Sequence, residues 1–337
     1  MTIDRRTLLR GAAALGLSAP LLSAAATSAH AAGTIAGNYD VLLTEHVKNK
    51  VMLFRAFKEW TPANEGWSWQ APATAAWARL NDARFRRTDR HGWVCVVAAG
   101  GGRVGMVNFG DDDALLWSAA PGGNPHAVEY LGSHGAVVVA STSTATGADE
   151  YPGYVTLYAP TDADDATTLG LVQQFRFQDA HGLWWDGTHL FVLGKWTLAK
   201  YRLTGSLRTT RLALVDEHKW TYEFFGHSLD MDFTSPDRLV LTGGGAVWSV
   251  DKNTLALTEV RPASYGVKSF SRAADGESFW LQAINVKYPE YGTGGYWNNH
   301  VQFFDPALRT TETRGLVGYG YTAKFYRSRI ATVLLTP

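Results

Sequence analysis

The stretch "GGNPHAVEY", residues 122–130, places His126 just after a Gly-Asn-Pro turn and at the head of an alternating apolar run. Alone it reads as the start of a strand. The same pattern recurs in segments that open at Ala83, His126, His181, His227, Lys268 and Ala323, and read "ARFRR", "HAVEY", "HGLWW", "HSLDM", "KSFSR" and "AKFYR". The third position is apolar every time, as Phe85, Val128, Leu183, Leu229, Phe270 and Phe325. Successive starts lie about 40–55 residues apart, the period of four-stranded propeller blades.

Composition agrees with that reading. The chain holds 13 Trp, 14 Tyr, 15 Phe and 34 Gly against only 4 Met, a mixture that favours strands and tight turns over helices. Runs such as "WVCVVAA", "GAVVVAS", "YVTLYA", "HLFVLG" and "RLVLTGG" are separated by Gly, Asp, Asn and Pro. The expected fold is therefore all-β, a single β-propeller of about six blades. "YTAKFYR" near one end supplies an opening strand, while "YDVLLTE" and "KVMLF" near the other look like middle strands of the same blade. Sharing a blade would close the ring and remove its exposed edges. If "RIATVLL" and the N-terminal strands belong to separate blades, the count rises to seven. The best helical candidate is "PATAAWARLNDA", residues 72–83.

Residues 1–31 are set apart from this domain, which spans 32–337. Arg5 and Arg6, an Ala-rich apolar core and an A-x-A site at Ala29-His30-Ala31 have the layout of a twin-arginine export signal, cleaved near Ala32. An ordinary secretory signal that happens to hold two arginines is the alternative; both predict a secreted, extracellular protein. Basic and acidic residues balance at 31 each, so no global field draws nucleic acid or an anionic membrane. A monomer acting on a glycan or small molecule is expected. Cys95, the single cysteine, lies in an apolar run and reads as a small core residue. The Gly-rich "AAGGGRVG", residues 98–105, lacks the strand-to-helix context of a phosphate loop and reads as a β-turn.

In a propeller the innermost strand of each blade lines the axis, so equivalent first positions form a ring. His126, His181 and His227 would then converge from three consecutive blades, with Lys268 from the next. Three neutral imidazoles suit a divalent metal ion with an open coordination position. They are the expected metal or catalytic cluster, and Lys268 is the candidate base or carboxylate clamp. Glu129, Asp230 and Asp179 could orient the imidazoles as acceptors. Arg84 and Lys324, one position further along, would bind an anionic group. Arg87, Arg272 and Arg327 read instead as ion pairs between blades. Trp184, Tyr265 and Tyr321 sit near the same mouth, as do the aromatics of "KYPEYGTGGYWNNH", and offer flat faces to a pyranose.

"TEHVKNKVMLF", "GGNPHAVEY", "DAHGLWWDG", "GHSLDMDF", "GVKSFS" and "AKFYR", together with the twin-arginine signal, resemble a family of secreted actinobacterial β-propeller proteins classed as a domain of unknown function. The likeness spans the mature chain and implies no particular activity. A looser similarity is to propeller-fold polysaccharide lyases such as the oligogalacturonate lyases, in which axial histidines hold a metal and basic residues assist proton abstraction. Only the idea of a histidine-lined axial site carries over. What it implies is cleavage of an acidic oligo- or polysaccharide by β-elimination. A non-catalytic glycan-binding propeller and a metal-dependent ester or lactone hydrolase are the alternatives.

Overall fold

The computed structural model describes residues 37–110, 112–142, 152–163, 165–283 and 295–331. The expected export signal lies outside them, as do most of the "KYPEYGTGGYWNNH" loop and the last residues of "RIATVLL". Twenty-four strands form six antiparallel four-stranded sheets, and the innermost strands touch one another in a closed ring. This is a six-bladed β-propeller. The seven-bladed alternative is excluded, because the terminal strands enter one sheet.

Closure is built by the two ends of the chain. The strand Phe325–Ile330 is the innermost of the first blade and pairs antiparallel with Asp40–Glu45, which is followed outward by Lys50–Arg55 and Glu65–Gln70. Leu80–Thr88, Asn124–Leu131, Gly182–Trp185, Ser228–Met231 and Val267–Arg272 are the innermost strands of blades two to six. Across the last seam, Ser328 N donates to Ser269 Oγ at 3.0 Å.

Each strand's period of two explains how flat sheets become a ring. Val41 and Leu43 point to one side of the first blade and pack with Phe279, Leu281 and Phe303 of the sixth. Leu42, between them, points the other way and packs with Phe85, Cys95 and Val97 of the second. Six apolar clusters repeat this arrangement, one at every blade interface. Fully burying one such Val, Leu or Phe side chain is worth about 1.5–3 kcal/mol. Cys95 belongs to this packing, and burial raises its thiol pKa. It is expected to resist a thiol reagent in the native protein and to react on unfolding, and Cys95→Ala should cost about 1 kcal/mol in a denaturant titration.

The helix read over residues 72–83 is not formed. Only a single 3₁₀ turn, Ala75–Trp77, is present, and a strand begins at Leu80. Trp77 and Leu80 are drawn into the interface of blades one and two, and Arg79 takes a left-handed backbone (φ 61°) that no α-helix accommodates. Gly100–Gly102 join two strands, as the β-turn reading expects.

Candidate active site

One local device sets the inner end of several blades. A residue with left-handed backbone stands two positions ahead of the side chain delivered to the axis: Arg79 (φ 61°) before Asn81, Asp179 (φ 48°) before His181, Phe225 (φ 50°) before His227 and Gly266 (φ 70°) before Lys268. The third blade differs: its left-handed residues, Gly122 and Gly123, stand four and three positions ahead of His126, and a Cβ on Gly123 would meet the Thr142 carbonyl oxygen at 2.3 Å. Arg79, Asp179 and Phe225 hold that conformation without being glycine, at about 1–3 kcal/mol each. All three line one pocket.

β-Bulges supply the second device. Leu80 pairs with Ala99 and Asp82 with Ala98, so Asn81 is left unpaired; His126 and Lys268 are skipped in the same way in their own blades. An extra residue bends its strand and re-aims its side chain. Here it turns toward the axis.

The result is an axial cavity of about 610 Å³, walled by Asn81, His126, His181, His227 and Lys268 from blades two to six and by His46 and Tyr326 from the first. The imidazole centroids of His126 and His181 are 4.1 Å apart, and those of His181 and His227 are 4.9 Å apart. His126 Nδ1 donates to the Asn124 carbonyl at 2.9 Å, and His181 Nδ1 to the Asp179 carbonyl at 3.0 Å. The Asp179 carboxylate stands 3.3 Å from the same nitrogen of His181. Lys268 Nζ lies 3.2 Å from His227 Nε2 and 5.2 Å above the Tyr296 ring.

Electrostatics disfavour the charged forms of His46, His126, His227 and Lys268. Burial, followed by neighbouring positive groups, pushes His126 and His227 well below the usual imidazole range and takes His46 down to about 4. Lys268, only 3% exposed, is lowered to about 7, first by burial and then by Arg327. A lysine amine there is substantially neutral at physiological pH.

Below the pocket the channel is filled by a buried ionic plug. Arg329 binds Asp82 at 2.7 Å and Asp230 at 3.0 Å, Arg86 binds Glu129 at 2.6 and 2.8 Å, and Arg84 donates across the axis to the Leu183 and Leu229 carbonyls at 2.6 and 3.0 Å. Arg327 donates to the His227 carbonyl and stands 3.9 Å from Asp82. Glu129 and Asp230 therefore serve arginines rather than imidazoles. Asp179 alone of the three expected acceptors touches a histidine ring. Of the three expected interblade ion pairs, two form, at Arg272, 3.8 Å from Asp232, and at Arg327, whereas the exposed Arg87 makes none with the described residues.

Of the side chains expected from sequence, the pocket gathers His126, His181, His227 and Lys268. It does not gather the five expected to bind substrate. Arg84 is in the plug; Trp184 is buried beneath Arg84 and Arg86 in the interface of blades four and five. Tyr265 packs over Gly245 and lines a small adjoining recess that shares Phe225, His227 and Lys268 with the pocket, and Tyr321 faces Glu45 and Lys48. Lys324 precedes its strand, and its Nζ lies 4.7 Å above the Trp297 ring, outside the pocket lining. His46, Asn81, Arg79 and Phe225 were missed. The left-handed step would have marked Arg79 and Phe225 themselves, and Asn81 two residues after Arg79, had backbone conformation been readable. Among the described residues, no group of three or more His, Cys, Asp or Glu side chains is disposed to hold a metal ion.

No protein-family model matches the chain, and no curated protein matches it. Among solved structures, a protein provisionally described as a 6-phosphogluconolactonase, from Bacteroides uniformis, is 11% identical with a TM-score of 0.52, over 87% of this chain and 96% of the other. A luciferin-regenerating enzyme is 12% identical with a TM-score of 0.48, over 87% and 96%. AztD from Citrobacter koseri is 12% identical with a TM-score of 0.43, over 86% and 97%. Identities this low speak to the fold alone.

Proposed function

We propose that the protein is an exported enzyme whose axial pocket removes a proton from carbon beside a carboxylate or carbonyl in a sugar-sized substrate, with Lys268 as the general base. The carrying observation is the Lys268 amine, enclosed at the cavity wall, 3.2 Å from His227 Nε2 and lowered to about 7. A base with that pKa combines an unprotonated resting state with useful proton affinity near neutrality. In the elimination, the α-proton passes to Nζ, its C–H electron pair forms the carbon–carbon double bond, and the β C–O bond breaks with its pair on oxygen, which takes a proton from water while Nζ later returns its own to solvent. A cavity of about 610 Å³ suits a monosaccharide, a short oligomer or a chain end, which narrows the polysaccharide-cleaving expectation.

The imidazoles act in this reading as hydrogen-bonding groups: His227 Nε2 faces an amine, and backbone carbonyls fix the orientation of the other two rings. The test is to incubate the purified protein with short acidic and neutral oligosaccharides and follow absorbance from unsaturated ends. Ligands bound in the pocket but never turned over would instead support a glycan-binding propeller.

A pH profile adds a second check. The active form of Lys268 is the neutral amine, so kcat/KM is expected to be low in acid, to rise through about pH 7 and to level off above it. A profile that falls across that range would sink the assignment.

A further inference from the structure

Two of the three axial imidazoles are locked in the same way in adjacent blades. In each, Nδ1–H is held by the carbonyl two residues upstream, that of Asn124 for His126 and that of Asp179 for His181. A carbonyl oxygen only accepts, so Nδ1 carries the proton, and in the neutral form of each ring the lone pair resides on Nε2. Among the described residues neither Nε2 has a hydrogen-bond partner, both rings line the pocket, and their centroids are 4.1 Å apart. Two rings in contact at the pocket wall thus each keep an acceptor open to a ligand. A ligand that brings two adjacent donors matches both at once.

We propose that the pocket recognises a vicinal diol, one hydroxyl donating to His126 Nε2 and its neighbour to His181 Nε2. The oxygens of a gauche vicinal diol lie against each other, which matches two acceptors on rings in contact, whereas one hydroxyl satisfies only one of them. The inference rests on the axial pocket being the substrate site and names the class of substrate: a polyhydroxylated molecule with adjacent free hydroxyls near the carbon that Lys268 deprotonates. His126 and His181 are then substrate-binding residues that set specificity, and Asp179, through its carbonyl and its carboxylate, is a positioning residue for His181.

The probe is 1,4-anhydroerythritol, a rigid cis-diol small enough for the cavity, compared with its single-hydroxyl analogue 3-hydroxytetrahydrofuran. Long-range ¹H–¹⁵N spectra of the histidine side chains report tautomer and hydrogen bonding at each nitrogen. Without ligand, His126 and His181 should both show the Nδ1–H tautomer. With the diol, both Nε2 signals should shift together and saturate, and the single-hydroxyl compound should bind at least about tenfold more weakly, the equivalent of one lost hydrogen bond. His126→Phe and His181→Phe should each reduce diol affinity to that level, while His126→Gln, which keeps an acceptor, should lose less. Nε2–H tautomers, a response from only one ring, no saturable response, or equal affinity for the two probes would overturn the proposal. Because the wild-type spectra suffice, a variant that fails to fold does not obscure the answer. Lys268→Met separates the two readings: diol recognition should survive it, and if turnover also survives, the base assignment fails while the diol site stands.

Discussion

Lys268→Met is expected to lower kcat/KM of the axial-pocket reaction by about 10²–10⁴-fold, the usual range for removing a positioned general base. Methionine preserves the length and apolar stem of the side chain, so the pocket wall keeps its shape while the proton acceptor disappears. The fold should tolerate the change, because Lys268 is almost completely enclosed and its ammonium form is disfavoured there. Lys268→Arg should be equally inactive, since a guanidinium has no neutral form near pH 7. Steady-state kinetics on any substrate that yields an unsaturated product decide the matter. Turnover within a few fold of wild type in either variant would show that the proton goes elsewhere.

Asp82→Asn is expected to destabilise the protein by about 3–5 kcal/mol, because it removes one partner from a buried ionic cluster. Asp82 is fully buried and lies 2.7 Å from Arg329, 3.6 Å from Arg84 and 3.9 Å from Arg327. Burial alone would raise its pKa, but the three guanidiniums outweigh that and hold it below the ordinary carboxylate range. The sign of the pH effect follows. A depressed folded-state pKa contributes stability that is fully present above the unfolded value of about 3.9 and is lost as pH falls through the folded one. The wild type should therefore lose stability in acid over a range where Asp82→Asn changes less. Urea titrations at neutral and acidic pH measure both. By contrast, Arg309 is 82% exposed beside Asp305, and Arg309→Gln should shift stability by no more than about 1 kcal/mol. Equal effects at the two sites would contradict the account of the plug.

Much of the architecture was legible in the sequence because it rests on periodicities. Alternating apolar residues marked the strands, and the recurring "HAVEY"-like openings marked blades and placed His126, His181, His227 and Lys268 on one axis. What failed depended on breaks in that period. Asn81 escaped because alignment on Phe85 placed Ala83 in its slot, and the bulge that actually delivers Asn81 has no signature in side-chain alternation. Arg84 and Trp184 were read as ligand-facing because their columns lie near the axis, whereas depth along it separates pocket from plug. That depth is set by carbonyls of distant blades, such as those of Leu183 and Leu229, which no local pattern reveals. His46 follows a second strand rather than a first, so a search confined to blade openings could not reach it. Residues 72–83 carried helix-compatible spacing, but burial of Trp77 and Leu80 against blade one outweighed that preference.

The blade shared by Phe325–Ile330 and Asp40–Glu45 ties completion of the axial pocket to closure of the ring. Tyr326, Arg327 and Arg329 all ride on the final strand, and they supply respectively part of the pocket wall and two cations of the plug. Without that strand the ring would hold all three axial imidazoles and Lys268, yet have an open seam and a floor lacking Arg327 and Arg329. The pocket wall is thus complete only when Phe325–Ile330 has docked against both neighbouring blades.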